Sequence, residues 1–352
     1  MSLECLRKAP DYYKIILHII GGLSVPINAT GIYLVMRHSP KNSSYKYCQL
    51  YVQLVTVFVE LHMSWTCPGY YYFPLMGGIN TNEFMAQYVQ THASVVIYFF
   101  LFAFELPSIL SCFIYRNEAA SEMNTAMRIP RVLTYIVGIS SHTFPFVVVI
   151  LLLKSQLTYE QKEYILTTYY PSCLHVLDIP SFEAYDWRIN HYTAVVGLSV
   201  MLYIFFYGFY GLFLAMHTMS ILSKMRKHMS AITYKMHRTA IIALTLQCIC
   251  PFAFICIPIN IIFTVIVTES VEHTALATNT MFMITAHSMM STFTMIACNS
   301  QYRTMVLTPF FKVICCGKWV PRSMLVEPSE SVARSTNAQN GVQRENRNDR
   351  EY

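Results

Sequence analysis

The sequence predicts an all-α membrane protein built as a bundle of seven transmembrane helices, and three observations lead there. Of its 352 residues, 54% are hydrophobic and only 12% are charged, whereas an ordinary soluble domain carries roughly 25% charged residues. The 25 Lys and Arg and 19 Asp and Glu are gathered in short segments between apolar runs. They cannot cover the surface that a water-soluble fold of this length exposes. Seven of the runs are long enough to cross a bilayer core of roughly 30 Å, which takes ~20 apolar residues in helix. Positive charge also alternates between successive connections, as membrane orientation requires.

In chain order the runs cover residues 15–36, 47–75, 93–115, 132–153, 192–217, 239–267 and 276–298. Several contain proline: Pro26, Pro68, Pro107, Pro145, Pro251 and Pro258. Proline breaks a helix in water, but in a bundle neighbouring side chains can satisfy the carbonyl it frees. Kinks are expected at these positions, and the two prolines of the sixth run make it the element expected to move.

The connections set direction. Segments 37–46, 116–131, 218–238 and 299–322 hold fifteen Lys and Arg residues, against six in 1–14, 76–92, 154–191 and 268–275. Positive residues stay preferentially in the cytoplasm, which places the N-terminus outside and the C-terminus inside. Asp178, Glu183, Asp186, Glu269 and Glu272 fall on the outer side. The formal net charge of +6 is read as an orientation signal, and no nucleic-acid partner is implied, because the basic residues do not share one soluble face.

The division that follows is an external N-terminus (1–14), a bundle (15–298), a juxtamembrane cytoplasmic segment (299–322) and a disordered cytoplasmic tail (323–352) rich in Ser, Asn, Arg and Glu. Residues 1–14 lack the apolar core of a signal peptide, so the first span must direct insertion. The long external connection 154–191 reads as a lid over a cavity. The glycosylation sequences at Asn28 and Asn42 fall in a span and an inner connection, where neither should carry sugar.

The 11 cysteines lie mostly in apolar runs, where a thiol behaves as a small hydrophobe, and their spacing fits no metal framework. No cofactor or metal is expected. Cys67 and Cys173, on the oxidising side, are candidates for a disulfide, with Cys5 a competing partner. Cys315 and Cys316 are candidates for palmitoylation or are free juxtamembrane thiols. Residues 302–307 and 310–312, just before them, can lie along the membrane surface.

Two other classes are weighed against a receptor. An intramembrane hydrolase needs convergent ligands or a nucleophile in a tight turn, and the sequence has neither a His-Glu-x-x-His pair nor a Gly-x-Ser-x-Gly motif; it is read as no enzyme. A transporter or ligand-gated channel would be favoured by repeated halves or a charged pore ring, and no internal repeat is found.

Residues 12–307 carry a more specific likeness. Ser39-Pro40-Lys41 with Tyr45-Lys46-Tyr47, then Cys67-Pro68-Gly69-Tyr70-Tyr71-Tyr72-Phe73-Pro74, are followed by Met229-Ser230, Thr233, His237-Arg238, Leu244, Gln247 and Pro251. His287, Ser291-Thr292 and Tyr302-Arg303 close the series. In this order they resemble the nematode serpentine chemoreceptor superfamily, class I most closely, with class H similar in the seventh span. Tyr115-Arg116-Asn117-Glu118 departs from the class I pattern, which has Arg-His and a small polar stretch there. The resemblance implies a rhodopsin-like bundle, an external small-molecule or peptide cue, a heterotrimeric G protein as partner, and display on the plasma membrane of sensory cilia in olfaction.

The residues expected to carry such a function fall into three groups. Glu60 and Glu105 sit near the middle of their runs, where an acid costs on the order of 2.5 to 3.5 kcal/mol to insert. With His62 they form either a polar core that changes pairing on ligand binding or interhelical hydrogen-bond glue. Tyr70, Tyr71, Tyr72, Asn260 and His287 are read as lining an outer pocket, or, for the tyrosines, as an interfacial belt. Arg116, Lys224, Arg226, Lys227, Lys235 and Arg238 form a basic rim that either faces a G protein or serves orientation and anionic membrane lipid.

Overall fold

Hydrocarbon offers backbone amides no water to pair with, so each apolar run closes its hydrogen bonds as helix. A computed structural model describes residues 3–38 and 44–314, and the chain divides after Asn299 into two compact units. The first span is α1 (Asp11–His38), and the second is α2 (Tyr45–Leu61), prolonged by a wider π turn over His62–Thr66. A hairpin of β1 (Gly69–Tyr71) and β2 (Gly77–Asn80) follows, then the short α3 (Glu83–Tyr88). The third span has two pieces, α4 (Thr91–Ala103) and α5 (Glu105–Ser121), and the fourth is α6 (Arg131–Ser155). Next come α7 (Tyr159–Tyr169) and β3 (Phe182–Ala184). The fifth and sixth spans are α8 (His191–Met225) and α9 (Ala231–Val267), and the seventh joins α10 (Thr274–Asn279) to α11 (Met281–Cys298). Helix α12 (Ser300–Ile314) belongs to the second unit.

Six of the seven spans are strongly apolar over their length; the second is the more polar one, with Gln53 and Glu60 inside a helix of 17 residues. It is also shorter than the run 47–75 expected from hydropathy. Its helical part ends at Thr66, and Tyr70–Tyr72 lie in or beside a strand. Pro68 explains the stop, since it lacks an amide hydrogen and disfavours helix in the residue before it. The fifth span outruns its expected end at 217, and the sixth starts at Ala231, ahead of the expected 239. Hydropathy marks hydrocarbon thickness, while a helix continues until a cap stops it. For α9 that cap is Ser230, whose hydroxyl accepts from the Thr233 amide at 3.1 Å.

The prolines do more than bend. Pro107 leaves the carbonyl of Ala103 without its helical donor, and Pro145 does the same to Ser141. Both carbonyls point to one group: the Tyr203 hydroxyl of α8 lies 3.2 Å from Ala103 O and 2.9 Å from Ser141 O. Its single hydrogen is shared between them, while its ring stacks on Phe144 at 4.0 Å. One buried tyrosine thus joins the third, fourth and fifth spans where each of two helices lacks a backbone bond.

One end of the bundle is capped. The strands form an antiparallel sheet in the order β1-β2-β3, with Gly69 opposite Asn80 and Gly77 opposite Ala184. A Cβ on Gly78 would lie 2.4 Å from Tyr70 O, so only glycine allows this strand approach. Behind the sheet, Tyr72, Leu75, Ile165, Leu166 and Phe182 form an apolar core with Cys173. The long connection 154–191 is therefore a folded layer: α7 starts at a reciprocal cap between Thr158 and Gln161, and β3 completes the sheet.

The cap corrects one expectation. Cys173 is bonded to Cys5, with the two Cα atoms 5.2 Å apart, not to Cys67. Cys67 is a buried free thiol, and burial pushes its pKa up to about 11. It follows directly on the last turn of the second span, whereas Leu3 and Cys5 reach into the cap core beside Cys173. Cap geometry, rather than proximity in the predicted topology, selects the pair.

Candidate functional site

The third, fifth, sixth and seventh spans, with Thr56 of the second and Phe144 of the fourth, surround a cavity of about 560 Å³, inside the range of roughly 300–1,000 Å³ that small-molecule sites occupy. Aromatic and aliphatic side chains make most of its wall, among them Phe102, Ile109, Phe144, Ile204 and Ile255. Glu105 and His287 supply its carboxyl and imidazole, 7% and 0% exposed. His287 Nε2 is 2.7 Å from Glu105 Oε1, and its Nδ1 is 2.5 Å from Ile284 O. A carbonyl only accepts, so Nδ1 carries a hydrogen. The other contact is then either imidazolium on carboxylate or a protonated acid on Nε2; in both states the pair is neutral overall and ties α5 to α11.

A second polar cluster links α1, α2 and α11. The two hydrogens of Asn28 Nδ2 are shared among Ser24 Oγ at 2.7 Å, Glu60 Oε2 at 3.2 Å and Ser288 Oγ at 3.3 Å. Thr292 Oγ1 contacts Asn28 Oδ1 and lies 2.8 Å from Gln53 Oε1. Gly31 permits this approach, because a Cβ there would sit 2.5 Å from Thr292. Asn28 is 1% exposed.

The expected polar core is thus two clusters, and His62 joins neither. Its Nε2 meets the Ser94 carbonyl at 2.9 Å, tying the second span to the third near the capped end. The expected outer pocket also separates. Asn260 and His287 line the cavity, but Tyr70, Tyr71 and Tyr72 do not. Tyr72 is buried in the cap and donates to Leu6 O at 2.7 Å; Tyr70 packs edge-on to Tyr13 and Tyr71 stacks on Phe73. The hairpin turns Tyr70 and Tyr72 toward the cap core and Tyr71 to the other face, against Met63, Met281 and Phe73, because a strand alternates its side chains about a sheet that the linear sequence does not announce.

The sequence pattern of one protein family, described as serpentine type 7TM GPCR chemoreceptor Sri, matches residues 3–306. The chain belongs to this family. None of the curated proteins matches it. Among solved structures, squid rhodopsin is similar over 92% of this chain and 94% of its own, at 12% identity and a TM-score of 0.43.

In this chemoreceptor the end opposite the cap carries the basic residues. Lys224, Arg226, Lys227, Lys235 and Arg238 are exposed. Arg116 differs from them: it is half-buried, its guanidinium carbon 3.7 Å from the Tyr45 ring centroid, so it is held against α2 and is not displayed on the rim. Its neighbour Asn117, where the sequence departs from the class I pattern, joins α5 to α8 through His217 Nδ1 at 2.8 Å and Thr218 Oγ1 at 3.0 Å. Cys315, Cys316 and Asn42 lie outside the described residues.

Sequence reading missed Asn28, Gln53 and Thr292 as members of a shared cluster, and Tyr203 as the partner of two freed carbonyls. A signal existed for half of the latter. Each proline names the carbonyl four residues earlier as an orphan, but not the donor that reaches it.

Proposed function

We propose that this chain is a chemosensory receptor that detects a small molecule in the cavity beside Glu105 and His287 and passes the signal to a heterotrimeric G protein at its basic end. The observation that carries this reading is a largely apolar cavity with a buried Glu105–His287 pair in its wall, the pair joining the third and seventh spans. Supporting the direction of signalling, the cap holds a disulfide, as oxidising compartments favour, and the cationic connections gather at the other end, as cytoplasmic connections do. The capped end therefore faces outward in the plasma membrane, and sensory cilia are the place of display that the family membership favours.

A ligand shifts the receptor only by its preferential affinity for one state. One that hydrogen-bonds to the Glu105–His287 pair changes what holds α5 to α11, and the proline-bearing α9, which also lines the cavity, is the element that responds. Expression in cells with a second-messenger readout, screened against lipophilic and polar small molecules, tests the proposal. A response that needs G protein and is altered by Glu105→Gln is the expected result; ligand-evoked current without any G protein would replace it with a channel.

A further inference from the structure

The cavity is closed toward both ends of the bundle and open at its side. On the capped side Met63, Met281 and Ile284 pack together with Tyr71 and Ile262, and Phe73, Val265 and Ala277 form another apolar plug beyond them. Toward the basic end Leu110, Phe113, Leu214 and Leu244 fill the interior. Between α8 and α9, among the described residues, the cavity wall is itself outer surface. Phe205, Phe209, Ile249 and Phe252 line the cavity yet are 57%, 59%, 56% and 52% exposed. A Cβ on Gly208, also in the lining, meets nothing within 4 Å. Both helices are apolar enough to sit in hydrocarbon, so this opening faces lipid.

The polar groups of the cavity define the head of the ligand. The hydroxyl of Thr56 donates to Val52 O at 3.0 Å, that of Thr245 to Ile241 O at 2.9 Å, and that of Tyr207 to Ser140 Oγ at 2.7 Å. Both His287 nitrogens are engaged. The second oxygen of Glu105 has no hydrogen-bond partner among the described residues, and it accepts in either state of the pair. Ser291 and Asn260 also line the cavity and can pair with a ligand as donor or acceptor, whereas the open oxygen of Glu105 takes only a donor.

We propose that the cavity admits its ligand sideways from the bilayer, between α8 and α9, and that the ligand is a lipophilic molecule whose head donates a hydrogen bond to Glu105. The inference rests on the receptor reading above and is tested separately from it. The full chain is reconstituted in phosphatidylcholine vesicles with a photoreactive long-chain primary alcohol, and labelled residues are mapped by mass spectrometry with and without excess unlabelled alcohol. Displaceable label is expected on α8 and α9 around Phe205, Phe209 and Phe252. The matching methyl ether, which cannot donate, should label about ten-fold less at equal concentration. Gly208→Trp, which fills the opening, should slow labelling roughly ten-fold, while Tyr71→Ala, which thins the capped-side plugs, should leave the rate unchanged. Should the tryptophan prevent folding, Phe209→Ala widens the opening and should quicken labelling. Equal labelling by alcohol and ether overturns the ligand class. Acceleration by Tyr71→Ala with no effect of the α8 variants overturns the lateral route. Displaceable labelling that never alters second messenger in cells would leave this site standing and remove the receptor reading alone.

Discussion

Glu60 and Glu105 are the same residue type in adjacent spans, both buried, yet the structure gives them different surroundings. Glu60 is held by Asn28 among short polar side chains of α1 and α11 and takes no part in the wall of the cavity. Glu105 faces that cavity and has His287 as partner. The insertion cost of a buried acid shows that each needs partners; it says nothing of which one keeps a face open to a ligand. The first cluster has the composition of interhelical glue, and the second that of a site.

Removing the histidine should break the contrast most visibly. His287→Ala leaves Glu105 buried without its partner, a loss of about 3–5 kcal/mol, and surface delivery should collapse, whereas Glu105→Gln with His287→Leu should largely restore it. Full surface delivery of His287→Ala would show that the pair does not hold α5 to α11. Asn28→Ala should cost about 1–3 kcal/mol by leaving Glu60 and Thr292 short of partners. A lower melting temperature in detergent with unchanged ligand affinity is expected; a matching change in affinity would merge the two clusters into one site. Glu105→Gln preserves size, so expression should persist while the midpoint of the dose response moves about ten-fold, and an unmoved midpoint would return Glu105 to the glue.

The smallest effect concerns the cap, where Glu183 offers a third buried carboxylate outside the spans. Burial raises its pKa above the usual carboxylate range, and the Lys162 ammonium at 2.7 Å opposes this without prevailing. An acid raised in this way holds its proton more tightly folded than unfolded. Its contribution to stability is full below about pH 4.3 and is lost as pH rises through the raised value. Melting temperature should thus drift down over that interval, and Glu183→Gln should flatten the drift; an unchanged slope in the variant would assign the drift to other groups.

Much of the fold was legible because membrane insertion is written locally. The seven spans lie where hydropathy put them, apart from their ends, and even the proline sites identify their orphaned carbonyls. The candidate site was legible only in part. Glu105, His287 and Asn260 fall together in the cavity wall, but Tyr70–Tyr72 looked like pocket and lie outside it, Tyr70 and Tyr72 against the cap core and Tyr71 among the plugs below, and Cys67 looked like the partner that Cys5 turned out to be. Each miss involves the hairpin after Thr66, which interrupts a run that hydropathy alone reads as continuous.

The sequence by itself determined that hydrocarbon surrounds seven stretches of this chain, since an apolar run and its flanking charges are properties of neighbours along the backbone. Only the tertiary structure decided that Glu105 meets His287, that Cys5 meets Cys173, and that a cavity opens between α8 and α9. Glu105 and His287 are 182 residues apart, and the two cysteines are 168 apart. At such separations a contact is fixed by how helices and strands pack, which no local preference encodes.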